Sequence, residues 1–333
     1  LLESERRYAL CAMRMDKNIP IQLGSRLLKE EHLNPQAWRE IGNVERGGQS
    51  NTQVKEQAVT ITSDSSQDYK SDEANKPTIR ILHQMARAGG TIISRCLGCM
   101  QNVILLSEVH PLAMNVAKQY GNTFSALHQA YRWFHLFSAQ EVAELEKEGL
   151  SYPETIHLIQ ARASERGKVL VLRDWSHLDF TGVPFVSNPS YTFSHAQALK
   201  EKFNVIQTAT VRHPVDQWQS LSKLAIVKDK LELDQFLYGY LEFAKQAAEI
   251  GFIRYEDFAS DPQHYMMLIC QRLNVPFDPE FLNNWSHYDK ITGDTSKDKL
   301  KNKEINPSQR EEASEELVNK YKEVRQYKKS LKI

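Results

Sequence analysis

From about residue 77 onward, the apolar positions switch between two periods. Short, nearly unbroken apolar runs at 79–82, 103–106, 168–172, 205–211 and 251–254 read as β-strands. Between them, apolar residues recur at helical spacing, which predicts a helix through about residue 100, a longer one over 124–148, and others at 214–225, 234–249 and 261–273. Phe124, Leu127, Tyr131, Phe134, Val142 and Leu145 set the spacing of the long one. Strands that are apolar throughout and alternate with helices predict an α/β fold whose parallel sheet is covered on both faces. Ligands of such sheets bind beyond the carboxyl ends of the strands. That rule singles out 87–91, 108–110, 173–179, 212–220 and 255–257.

Before residue 77 the pattern is different. Tyr8, Cys11, Ile19, Leu23, Leu27 and Leu28 form a loose amphipathic series, so residues 1–46 read as a small helical segment. Residues 47–76 are rich in Gly, Ser, Gln, Asn, Asp and Lys and read as a polar linker. The main domain then spans 77–333.

Composition narrows the partners. Lys+Arg and Asp+Glu both total 42, so the formal net charge is zero, against a general nucleic-acid binder or a polybasic membrane-surface protein. No apolar run approaches the roughly 18 residues of a membrane span. The four cysteines, Cys11, Cys96, Cys99 and Cys270, are too few for a disulfide scaffold and favour a reduced, cytoplasmic setting. Cys96 and Cys99 read as packed helix residues; no metal-ligand cluster is evident and no metal is expected.

Two segments have the character of anion sites. Arg87-Ala88-Gly89-Gly90-Thr91 joins a strand to a helix, where free first-turn N–H groups and the helix dipole favour negative charge. The glycines admit a close backbone approach, Thr91 supplies a hydroxyl and Arg87 a cation. No Lys stands before Thr91, which disfavours ordinary Mg²⁺-ATP chemistry. Arg212 closes a later strand, and Ser220 lies about two helical turns further on. Together they can converge on a second phosphate.

These two loops, in this order, resemble those of the 3′-phosphoadenosine-5′-phosphosulfate (PAPS)-dependent sulfotransferases over roughly residues 77–300. Arg87-Ala88-Gly89-Gly90-Thr91-Ile92 is similar to that family's 5′-phosphosulfate loop, and Arg212 with Ser220 to its 3′-phosphate pair. Tyr255-Glu256-Asp257 is similar to its strand-terminal Tyr-Glu-Asp, whose Tyr contacts adenine in some members. The resemblance implies a P-loop nucleoside-triphosphate-hydrolase-like three-layer sandwich, PAPS as donor, PAP as product and a hydroxyl acceptor. Two features depart from it. Ile92 stands where an adenine-stacking aromatic occurs, and the C-terminal 3′-phosphate clamp is not evident, leaving 290–302 as its candidate replacement.

Sulfuryl transfer needs a base for the acceptor's proton and a cation for the leaving phosphate. Glu108 and His110 follow the second strand and, in extended backbone, face the same side. Glu108 is the preferred base, with His110 supporting it or replacing it, and Arg87 faces the leaving oxygen. His177 and Asp179, after the third strand, are candidate acceptor contacts. The acceptor class stays open among saccharides, lipid alcohols and natural-product alcohols, ahead of a peptide tyrosine. The competing readings are a kinase or other phosphotransferase on the same fold, or a nucleotide-binding protein without turnover.

Overall fold

The computed structural model describes residues 76–293, with 304–305, 315 and 317–319. The helical segment read over 1–46 lies outside them, as does all but the last residue of the linker read over 47–76. All five expected strands form: β1 (Thr78–Gln84), β2 (Val103–Val109), β3 (Val169–Asp174), β4 (Asn204–Val211) and β5 (Phe252–Arg254). They make one parallel sheet in the order β2-β3-β1-β4-β5. The helices, in chain order, are α1 (Gly90–Gly98), α2 (Ala113–Ala117), α3 (Ala126–Phe134), α4 (Ala139–Glu148), α5 (Tyr152–Glu165), α6 (His177–Phe180), α7 (Ser194–Leu199), α8 (Pro214–Leu221), α9 (Leu233–Ile250), α10 (Tyr255–Ser260), α11 (Pro262–Leu273) and α12 (Phe281–Asn284).

Two helical expectations need correction. The helix expected over 124–148 is two helices. His135 takes a left-handed φ of 50°, ending α3, and Ser138 restarts the chain through a capping box with Glu141. Helix α5 falls where no helix was anticipated; it opens with Pro153 in its first turn and Glu154 accepting from the Ser151 N–H at 2.9 Å.

Side chains of a strand alternate between faces. On one face Leu82, Leu105, Val171 and Ile253 pack with Ile93 and Leu97 of α1 and with Met266, Ile269 and Leu273 of α11. Cys96 belongs to this core and burial pushes its thiol up, so it behaves as a packing residue. On the other face His83 stacks on Phe193, which meets Phe180 and Phe243 of α9 edge-on. Layers on both faces of a parallel sheet give the expected three-layer sandwich. Among the described residues no helix is long and apolar enough to cross a membrane.

Candidate active site

The loop between β1 and α1 is held by close approaches. Gly89, at φ 79°, caps α1, and its carbonyl accepts from the Ile92 and Ile93 N–H groups at 3.2 and 3.3 Å. A Cβ there would stand 2.0 Å from the Tyr255 ring, and one on Gly90 would stand 2.1 Å from Gln84 Oε1. Glycine is therefore required by packing at both positions, and at Gly89 by conformation too. Ala88 is buried, and Ile92 packs at the edge of the α1–α11 core. Arg87 also takes a left-handed φ, 66°, a conformation that a non-glycine residue keeps only when its surroundings hold it.

What holds Arg87 is the second anion motif. Its Nε donates to Ser220 Oγ at 2.8 Å, and its carbonyl accepts from Arg212 at 3.1 Å. One helical turn before Ser220, Gln217 of α8 donates to the Ala86 carbonyl at 2.8 Å. The Arg212 guanidinium lies 5.3 Å from the centre of the Tyr255 ring, within cation–π range. Residues from 87–91, 212–220 and 255 thus form one cluster at the carboxyl ends of β1, β4 and β5. Beneath it, Gln84 Nε2 and Thr210 Oγ1 are buried without a hydrogen-bond partner among the described residues. These two positions are paired across β1 and β4.

Glu108 reaches this cluster through an irregularity in β2. Ser107 is in register with Arg173 and Val109 with Asp174, so Glu108 is an extra residue, with a left-handed φ of 53°. Such a bulge re-aims a side chain. It turns Glu108 to Arg173, 3.2 Å away, with 16% of the carboxylate side chain still exposed. Arg173 is buried and central: it donates to Gln84 Oε1 (3.1 Å), Ser107 Oγ (3.0 Å) and the Thr292 carbonyl (3.2 Å), and it approaches Thr91 Oγ1 at 3.5 Å. A Cβ on Gly293 would lie 3.3 Å from Thr91 Oγ1 and 3.7 Å from Glu108. The start of the 290–302 stretch therefore meets the Glu108 side of the site, whereas Lys290 sits over the Phe134 ring at 4.9 Å. The remainder of the stretch lies outside the described residues.

The bulge also separates Glu108 from His110, correcting the expectation that the two face the same side. His110 is 1% exposed. Its Nδ1 accepts from the Leu112 N–H at 3.1 Å, so its proton sits on Nε2 and is donated to Asp179 at 3.1 Å. Burial pulls the imidazole's pKa down, but the Asp179 hydrogen bond and the charges of Asp174 and Asp179 outweigh it and the net shift is upward. Both ring nitrogens of His110 are thus engaged in hydrogen bonds.

His177 and Asp179, the candidate acceptor contacts, are both buried and hydrogen-bonded within the chain. His177 is buried, with Nε2 2.6 Å from the Val183 carbonyl and Nδ1 2.5 Å from Thr181 Oγ1, and burial pushes it down. Asp179 is fully buried and accepts from Ser190 Oγ, Ser194 Oγ and the Ser194 N–H at 2.8, 2.7 and 3.0 Å. Both hold the segment after β3 in place.

Arg173 and Asp174, adjacent in sequence, point to opposite faces. Asp174 accepts from His83 Nδ1 and His195 Nδ1, both at 2.8 Å, and from Ser176 Oγ at 2.5 Å. Tyr152 closes the chain by donating to His195 Nε2 at 2.7 Å. Burial alone would raise the Asp174 pKa, but the hydrogen bonds and charges of His195 and His83 hold it well below the usual carboxylate range. Sequence reasoning gave Arg173 no role in the site; its signal was only its place at a strand end.

No protein-family model matches this sequence, and no curated protein does. Among solved structures, the chain is similar to the sulfotransferase domain from the curacin biosynthetic pathway, at 17% identity and a TM-score of 0.50, covering 74% of this chain and 97% of that one. It is also matched, at 13% identity and a TM-score of 0.35, to a sulfotransferase from Alicyclobacillus acidocaldarius, covering 63% of this chain and 90% of that one. At such identities the first likeness speaks for the shared fold.

Proposed function

We propose that this chain is a sulfotransferase that carries the sulfuryl group of PAPS to a hydroxyl acceptor, with Glu108 as the base. The observation that supports this most is the joining of the two anion motifs: Arg87 to Ser220 and Arg212 to the Arg87 carbonyl, over the Gly89–Gly90 start of α1. The residues present fit a donor with two phosphate centres. Two arginines, the first-turn N–H groups of α1 and the unpartnered Gln84 Nε2 and Thr210 Oγ1 offer donors to an anion. When bound, PAPS supplies the activated sulfuryl group, and its release leaves PAP.

Each residue then has a definite task. Arg87 and the α1 amides counter charge on the 5′ side, while Arg212 and Ser220 hold the 3′-phosphate. Tyr255 bounds the loop through its contact with Gly89. Glu108 takes the acceptor's hydroxyl proton, and Arg173 fixes that carboxylate beside Thr91. The test is PAPS-dependent sulfation of a panel of hydroxyl compounds by the wild type and by Glu108→Gln. Turnover by the wild type that falls by about 10²–10⁴-fold in the variant supports the assignment. Equal turnover in both removes Glu108 from the chemistry.

A further inference from the structure

Ser107, the residue before the bulge, is held at every polar atom. Its strand, β2, lies at the edge of the sheet and has a strand neighbour only in β3. The Gln129 amide of α3 takes the place of a further neighbouring peptide. Its Oε1 accepts from the Ser107 N–H and its Nε2 donates to the Ser107 carbonyl, both at 2.7 Å. The Ser107 hydroxyl is engaged as well. Oγ accepts from Arg173 at 3.0 Å and from the Thr292 N–H at 3.1 Å, which leaves its own proton for Thr292 Oγ1 at 2.8 Å.

Gln129 is itself fixed. It is 2% exposed, and Nε2 also donates to the Thr123 carbonyl at 2.8 Å. The amide oxygen and both amide hydrogens are therefore engaged, and these partners admit one orientation of the group. A carboxylate in its place would lose both donors, and a thioether would lose all three bonds.

The residue that follows this clamp is Glu108. Its left-handed φ of 53° persists only where its surroundings hold it. Arg173 holds the carboxylate end at 3.2 Å, and the fixed Ser107 peptide holds the backbone end. Ser107 is also the last residue in register with β3 before the shift, so its peptide is where the bulge begins.

We propose that Gln129 is a positioning residue: by clamping the Ser107 peptide it sets the bulge that aims Glu108 at Arg173 and Thr91. The inference rests on the sulfotransferase reading, in which Glu108 is the base, and extends it to a helix that touches neither anion motif.

The test places Gln129→Met, similar in length and without the amide, in the wild-type and Glu108→Gln backgrounds of the full chain. Turnover is measured with PAPS and 2-naphthol, 1-octanol or N-acetylglucosamine, PAP affinity by calorimetry, and amide hydrogen exchange over 104–110 by mass spectrometry. In the wild-type background kcat should fall by about tenfold or more, as expected when a reacting group is misplaced, while the PAP Kd stays within about twofold. In the Glu108→Gln background the same substitution should change kcat by less than about twofold, because the group it positions is already gone. Exchange over 104–110 should quicken while that of β1 and β3 does not. Equal losses of kcat in the two backgrounds overturn the proposal and leave Gln129 a packing residue, and so does unaltered exchange over 104–110, whatever the turnover. Gln129→Asn keeps the amide but shortens its reach by one methylene; it should give the same pattern if Gln129→Met does not fold. The failures are separable. A wild type that neither binds PAP nor turns over, with exchange quickened over 104–110 in the variant, removes the sulfotransferase reading and leaves the clamp on the bulge standing. Wild-type turnover with equal losses in both backgrounds removes only the role of Gln129.

Discussion

Replacing Asp174 by Asn keeps the side chain's shape and removes its charge, so it isolates what the buried carboxylate contributes. In the wild type this group is 1% exposed and accepts three hydrogen bonds, from His83, His195 and Ser176. Asn offers one acceptor oxygen, and its NH₂ must face a ring N–H or a hydroxyl that was donating. Removing one partner from a buried, charge-assisted set costs about 3–5 kcal/mol. At about 2–4 °C per kcal/mol for a domain of this size, Tm should fall by roughly 6–20 °C. Because the folded pKa is depressed, the unfolded chain binds more protons through the acid range. The carboxylate's contribution is therefore complete above the unfolded value near ~3.9 and is lost as pH falls through the folded value. Thermal melts of both proteins, followed by circular dichroism at several pH values, should show a wide gap at pH 7 that closes on acidification. A gap under about 1 kcal/mol at pH 7, or one that does not change with pH, would refute the claim that this carboxylate is ionised and holds the sheet's second face.

Two further outcomes follow from the site. Gly89→Ala should cost about 1–2 kcal/mol for the left-handed backbone alone, and its Cβ must displace the Tyr255 ring 2.0 Å away, so PAP affinity measured by calorimetry should drop at least tenfold; unchanged affinity would mean that this loop does not hold the donor. Arg173→Lys cannot reach Gln84, Ser107, Thr292 and Glu108 together, so kcat should fall by about 10–100-fold while the PAP Kd changes little. A change confined to PAP affinity would assign Arg173 to the donor instead.

The sheet was legible because its strands are apolar on both faces and bounded by helices, a local signal. The anion loops were legible for the same reason, since Arg87–Thr91 and Arg212–Ser220 each lie within a few residues of a strand end. The break at His135 and the start of α5 were also written locally, as Ser138…Glu141 and Ser151…Glu154, but an apolar series running on to Leu145 masked the first. The bulge at Glu108 was not legible: extended backbone would have paired it with His110, and its left-handed turn is stabilised by Arg173, 65 residues away. The His83–Asp174–His195–Tyr152 chain draws on four separated segments and has no local signature. Period-2 alternation alone was enough to show that Arg173 and Asp174 face opposite sides of the sheet.

The central claim is that one cluster, Arg87 with Arg212 and Ser220, holds a nucleotide bearing a 3′-phosphate. Calorimetric titration of PAP into the wild type and Arg212→Ala, beside ATP with Mg²⁺, tests it most directly. The account predicts PAP binding that needs no metal and weakens by at least tenfold in Arg212→Ala, with ATP the poorer ligand. ATP with Mg²⁺ binding more tightly than PAP, or PAP affinity indifferent to Arg212, would contradict it and bring the phosphotransferase reading forward.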